Sequence, residues 1–184
     1  ENSLPFTDVP QGSFFYDAVR WAVEEGVTSG TTATTFSPYR GCTRGQVVTF
    51  LWRAAGCPEP KSSRNPFVDV PADSFCHDAV LWAAEEGITT GVTADRFQPN
   101  ATVTRGQVVT FLWRWEDSPT AQKTSGFRDV AASSFCAEAV SWAVAQGVTK
   151  GTTATTFAPS QTCTRGQIVT FLYRDLFPAA DYED

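Results

Sequence analysis

Three arginines stand at the same place in a phrase written three times. Thr43-Arg44-Gly45-Gln46 recurs as Thr104-Arg105-Gly106-Gln107 and as Thr164-Arg165-Gly166-Gln167. Thr followed three residues later by Gln is a capping box: the hydroxyl accepts from the third-residue N–H while the amide reaches back to the cap, so each phrase starts a helix. Arg44, Arg105 and Arg165 then occupy the first helical position. There the helix dipole and the free N–H groups already supply positive potential, and a guanidinium is unfavourable unless a carboxylate or phosphate shares it. The chemistry predicted is anion binding. Asp8, Asp69 and Asp129, contributed by adjacent copies, would satisfy the same arginines from within and form the alternative. Gly45, Gly106 and Gly166 inside the first turn each cost up to about 1 kcal/mol against alanine, which implies close approach of another group, either a ligand or a neighbouring helix.

Other residue types offer less. Arg53, Arg114 and Arg174 near the end of the same helix are favoured there by about 0.3–1 kcal/mol through the dipole, and call for no function. The single histidine, His77, has Tyr16 and Ala137 as counterparts and reads as a surface residue near a helix start. Paired carboxylates could do glycosidic acid–base work, with Asp17, Asp78 and Glu138 recurring beside the first aspartate trio. No His, Lys or Ser nucleophile recurs with them, so no enzyme and no catalytic residue is expected. Trp21, Trp82 and Trp142 recur beside an apolar stripe, either packed in the core or flooring a sugar-stacking groove.

The five cysteines, Cys42, Cys57, Cys76, Cys136 and Cys163, lack C-x-x-C spacing, so no zinc or other metal site is expected. Cys42 is level with Cys163 and Cys76 with Cys136. Pairing within a repeat would join Cys136 to Cys163, and pairing across consecutive repeats would join Cys42 to Cys76, so at most one symmetric disulfide is expected. The remaining thiols would serve as small buried hydrophobes.

The elements that position these residues also repeat. The phrase begins at 42, 103 and 163, spacings of 61 and 60 residues. Each copy opens on F-x-D-V, at Phe6, Phe67 and Phe127. After Ser13, Ser74 and Ser134 as expected N-caps, Phe15, Ala18, Val19, Ala22 and Val23 and their equivalents recur with helical spacing. Gly26, Gly87 and Gly147 should end that helix in a left-handed cap. A Gly- and Thr-rich loop follows, pinned by a buried Phe36, Phe97 or Phe157, and then the second helix, apolar on more than one face. Proline-containing polar linkers separate the copies, giving repeats over 1–56, 62–116 and 123–177 and a tail over 178–184. A repeat of roughly 50 structured residues can hardly bury its own apolar faces, so the three should pack into one mainly helical, pseudo-threefold body.

The 184 residues are 42% hydrophobic and 13% aromatic, normal for a globular protein. A net charge of −6 with a pI near 4.8 argues against nucleic acid as a partner. No apolar run reaches the roughly 18–20 residues needed to span a bilayer, and no signal peptide leads the sequence, which reads as a mature protein or a fragment.

Three copies of F-x-D-V, a helix with Trp-Ala, G-[VI]-T-x-G, F-x-P and T-R-G-Q resemble the S-layer homology domain, which commonly occurs in triplets. The resemblance covers nearly the whole chain. It implies a mainly α, three-pronged pseudo-trimeric spindle with a central helical bundle. Such modules anchor bacterial surface proteins by binding secondary cell-wall polysaccharide, without a cofactor. It further implies an anionic, often pyruvylated glycan in grooves between the prongs, contacted by the Arg of the family's T-R-A-E motif, here Arg44, Arg105 and Arg165. This chain departs from that motif. Gly45, Gly106 and Gly166 replace Ala, and Gln46, Gln107 and Gln167 replace Glu, which keeps the capping box and removes a negative charge beside each arginine. The expected glycan-binding set is completed by loop residues Gly30, Gly91 and Gly151 and by Trp21, Trp82 and Trp142. The expected state is an extracellular, wall-bound monomer, fused to further domains. The rival reading is a structural or protein-interaction module of a surface layer whose arginines are tied internally.

Overall fold

The computed structural model describes residues 4–178; of the expected tail, 179–184 lie outside the described residues. Six helices follow one another: α1 Tyr16–Glu24, α2 Arg44–Ala54, α3 His77–Glu85, α4 Arg105–Trp115, α5 Ala137–Ala145 and α6 Arg165–Leu176. Among the described residues, extended pairing is confined to isolated bridges such as Gly41 with Thr164.

The first helix of each repeat ends as its glycine dictates. Gly26, Gly87 and Gly147 have φ of 70°, 73° and 76°. The next N–H, of Val27, Ile88 or Val148, reaches back to the carbonyl of Ala22, Ala83 or Ala143 at 2.8 Å, the Schellman arrangement, with the aliphatic side chain fully buried. Its start differs from expectation. The caps are Phe15, Cys76 and Cys136, with no side-chain cap bond. The serines are used one step earlier: the N–H groups of Ser13, Ser74 and Ser134 close a turn onto Pro10, Pro71 and Ala131. Their carbonyls in turn receive the first helical N–H, so a tight turn leads directly into each helix.

The second helices start at complete capping boxes on Thr43, Thr104 and Thr164. Val47, Val48, Phe50 and Leu51 of α2 and their equivalents are buried, because each of these helices faces the other repeats as well as its own prong. The prongs are shared between repeats: α2 packs on α3, α4 on α5, and α6 returns to α1. Helix α4 also touches α6, so the second helices form the centre.

The ring closes at the backbone as well. Cys42 N–H donates to Cys163 O (3.2 Å), Cys163 N–H to Val103 O (3.0 Å) and Val103 N–H to Cys42 O (2.9 Å). All five cysteines are free, so neither alternative pairing forms; four of the thiols are buried as expected, whereas Cys57 is exposed. Valine at the second of these three axial places shows what the two thiols do there, which is to fill a small apolar space.

Each F-x-D-V aspartate clamps a loop. Asp8 accepts from Phe36 N–H (2.9 Å) and Ser37 N–H (2.8 Å), Asp69 from Phe97 and Gln98, and Asp129 from Phe157 and Ala158. The second residue of each pair is left-handed, with φ of 57°, 57° and 58°. Such a conformation costs a side-chain-bearing residue roughly 1–2 kcal/mol, and the carboxylate offsets it. Burial alone would raise the Asp69 and Asp129 carboxyls, but the backbone donors outweigh it and hold both below the ordinary value. Phe36, Phe97 and Phe157 are fully buried, as the loop pattern predicts.

Candidate anion-binding grooves between repeats

Helices α2, α4 and α6 each carry a second stripe besides the apolar one. Gln46, Thr49, Phe50 and Arg53 lie at i, i+3, i+4 and i+7, and so do Gln107, Thr110, Phe111, Arg114 and Gln167, Thr170, Phe171, Arg174. Each stripe forms the floor of a groove. Groove 1 adds Thr28, Ser29 and Gly30 from its own repeat, Arg165 from the repeat before and Phe75 from the repeat after. Groove 2 adds Thr89, Thr90, Gly91 and Val92, with Arg44 and Phe135. Groove 3 adds Thr149, Lys150, Gly151 and Thr152, with Arg105 and Phe14. All three repeats thus contribute to every groove.

The arginine trio at the helix starts is held in one way three times. The Nε of Arg44, Arg105 and Arg165 donates to the carbonyl of Phe97, Phe157 and Phe36 at 2.9 Å, and the guanidinium lies 4.7, 4.7 and 4.5 Å from the centre of that residue's ring. A second ring, of Phe111, Phe171 or Phe50, flanks it at 5.4, 5.1 and 5.9 Å. Among the described residues no carboxylate bonds these arginines, so the expected pairing with Asp8, Asp69 and Asp129 does not form. The aspartates act on them at one remove. Asp129, for example, takes the Phe157 N–H while Arg105 takes the Phe157 carbonyl. Burial pushes all three guanidinium groups below the ordinary arginine value, and the Arg114 charge adds to the shift at Arg44.

The expectation of free backbone donors at these helix starts is corrected. Arg44 N–H donates to Ala101 O (2.9 Å), Gly45 N–H to Pro99 O (2.9 Å), and Gln46 N–H to the Thr43 hydroxyl (3.2 Å). The other two helices repeat this, with Gln161 and Pro159 serving α4 and Arg40 and Pro38 serving α6. The helix termini are spent on joining repeats. The glycines have the same explanation: a Cβ on Gly45 would sit 3.1 Å from Cys76 Sγ and 3.1 Å from Pro99 O, both in the next repeat. The close group implied by Gly45, Gly106 and Gly166 is therefore a neighbouring repeat.

The structure brings Arg44, Arg105, Arg165, Gln46, Gln107, Gln167, Gly30, Gly91 and Gly151 to the grooves. Trp21, Trp82 and Trp142 are not among the groove linings. Trp82 and Trp142 are each 5% exposed, while Trp21 packs half-buried against Tyr173 and Phe177. Sequence reasoning missed two contributors. Arg53, Arg114 and Arg174 place a second cation in every groove, their Nη1 also bonding Val27, Ile88 and Val148 carbonyls at 3.3–3.4 Å. Phe14, Phe75 and Phe135, 58%, 63% and 66% exposed, stand at the rims. The available signal was a large aromatic recurring out of phase with the apolar stripe.

Each groove therefore contains two arginines and an exposed ring, and none of the three linings includes a carboxylate. In a chain of net charge −6 this segregates positive potential into three clefts. Among the described residues no cluster of His, Cys, Asp and Glu could hold a metal, and no helix is long and apolar enough to cross a membrane.

The family model for the S-layer homology domain matches residues 5–48, 66–109 and 126–169. The chain is 30% identical over 188 residues to an endoglucanase of Bacillus sp. (strain KSM-635), covering 99% of this chain and 20% of that protein. It is 32% identical over 139 residues to the surface-layer 125 kDa protein of Lysinibacillus sphaericus, covering 75% and 12%, and 22% identical over 170 residues to the S-layer protein sap of Bacillus anthracis, covering 91% and 20%. The chain spans a fifth or less of the length of these curated relatives. Family and relatives together place it at the cell surface. It belongs to the S-layer homology domain family, of which it carries three tandem copies.

Proposed function

We propose that this is a non-catalytic wall-anchoring module whose inter-repeat grooves hold an acidic, pyruvylated secondary cell-wall polysaccharide. One observation carries the reading: three equivalent clefts each converge two arginines and an exposed phenylalanine with no carboxylate among them. Guanidinium groups pair with a pyruvyl carboxylate through charge-assisted hydrogen bonds, and an aromatic rim gives an apolar face on which a sugar ring can lie. Threonine hydroxyls and the Gln side chains supply orienting hydrogen bonds within the same space. Attachment to a wall also accounts for why this module is similar both to surface-layer proteins and to part of an endoglucanase. The anchor would be shared while the attached domains differ. A closed pseudo-trimer needs no further copies to complete a groove, so we assign the monomer as the binding unit.

The test is co-sedimentation with sacculi from the host bacterium, before and after hydrofluoric acid removes the secondary polymer. Binding to native sacculi and none to stripped ones is expected. Equal binding to both would overturn the reading in favour of a protein or peptidoglycan partner.

A further inference from the structure

The three grooves share a plan but not a composition. At the second residue of the groove loop, repeat 1 has Ser29, repeat 2 has Thr90 and repeat 3 has Lys150. Groove 3 alone therefore combines three cations, Arg105, Lys150 and Arg174, each from a different element. It is also the largest, about 430 Å³ against about 230 Å³ for groove 2 and about 200 Å³ for groove 1.

Groove 1 differs in the opposite direction. Arg165 spends a second donor on the groove wall, Nη2 bonding Ser29 O at 2.9 Å, whereas among the described residues Arg44 and Arg105 bond only through Nε. One fewer guanidinium donor faces whatever enters. Groove 2 keeps its Arg44 donors but lines its loop with Val92 where groove 3 has Thr152. Volume and donor count thus order the grooves alike, and charge sets groove 3 apart from the other two, which hold two cations each.

From this we infer that groove 3 is the principal site for the acidic saccharide and that Lys150 is the residue that makes it so, an assignment that rests on the function proposed above. Lys150 is exposed and outside every helix, so its ammonium can move onto a carboxylate on the ligand at no cost in packing. The other grooves then act as weaker sites that add avidity when one polymer reaches two of them.

Lys150→Thr copies the groove 2 residue, Thr90→Lys makes the reciprocal change, and Lys123→Thr removes another exposed charge from a linker residue that lines none of the three grooves. Calorimetric titration with the polymer released from host walls should show Lys150→Thr weakened about three- to fivefold, Thr90→Lys strengthened and Lys123→Thr unchanged. If wild type binds while Lys150→Thr and Lys123→Thr match each other, the groove assignment is wrong and the function stands. If wild type does not bind, the proposed function falls and the assignment falls with it.

Discussion

Arg105 of the second repeat donates its Nε proton to the Phe157 carbonyl of the third at 2.9 Å and lies 4.7 Å over the ring of that same residue. One side chain thus grips its neighbour by both a polar and an aromatic handle. Arg105→Lys keeps the charge and loses the planar fork, so urea unfolding should show a loss of about 1–2 kcal/mol. Arg105→Ala also leaves a buried carbonyl unpaired and should lose more, about 2–3 kcal/mol. A neutral Arg105→Lys change would mean the charge alone suffices.

The glycine after that arginine is set by packing. A Cβ on Gly106 would meet Cys136 Sγ and Pro159 O at 3.1 Å, while one on Gly12 would meet nothing within 4 Å. Gly106→Ala should therefore lower stability by about 1 kcal/mol net, crowding of roughly 2 kcal/mol outweighing the helix propensity of up to about 1 kcal/mol that alanine gains, with Gly12→Ala near neutral. Thermal melts of the two variants make the comparison, and similar shifts would remove the steric account.

Thr104 closes its helix start by accepting from Gln107 N–H at 3.2 Å. Thr104→Ala should cost about 1 kcal/mol, and Thr104→Ser much less, because the hydroxyl is what the cap needs. Chemical denaturation separates the two.

Asp175, at the end of α6, meets Glu116 at the end of α4, and its Oδ2 is buried without a partner among the described residues. Burial, followed by the charge of Glu116 and a hydrogen bond to it, pushes the Asp175 carboxyl up to about 8. The folded chain then holds a proton that the unfolded chain has released. Its contribution is fully present below the unfolded value near 4 and is lost progressively as pH rises through 8, a decline of roughly 1–3 kcal/mol. Asp175→Asn should flatten that slope and raise the melting temperature at pH 8; an unchanged pH profile would show that the pair is not coupled to folding.

Phe14, Phe75 and Phe135 expose most of their rings and stand at the groove rims. Replacing all three by alanine should leave the melting temperature within about 2 °C and weaken sacculus binding at least tenfold. Undiminished binding would confine recognition to the charged groups.

Much of this fold was legible because its signals were local and repeated. The Thr43–Gln46 box and the terminating Gly26 depend on neighbours within a few residues, and Phe36 was marked by its place in a repeated polar loop, although Phe6, Asp8 and Arg165 are what enclose it. What lay beyond reach involved partners from another repeat. Nothing local says that Pro99 will cover the Gly45 N–H, or that Arg165 will reach Phe36 across 129 residues. Arg53 was explained by the dipole of its own helix, and that account was sufficient locally. Its second place, beside Arg165 in a groove, appears only once the repeats are arranged around an axis. The Trp trio shows the converse, since an aromatic at helical spacing carries no sign of which neighbour will bury it.

The mutual bonding of residues 42, 103 and 163 fixes a number. A stack of repeats can be lengthened at either end, since its last member always presents an unpaired face. Here α6 has already met α1, and a fourth copy inserted into the chain would find no vacant partner. Without the third copy, the Arg105 and Gly106 N–H groups would lose their acceptors and the Pro38 and Arg40 carbonyls their donors, and the face of α1 that packs on α6 would be uncovered. Three is thus the count at which every repeat is both host and guest, and any gain in wall attachment must come from the content of the grooves, because their multiplication is closed by geometry.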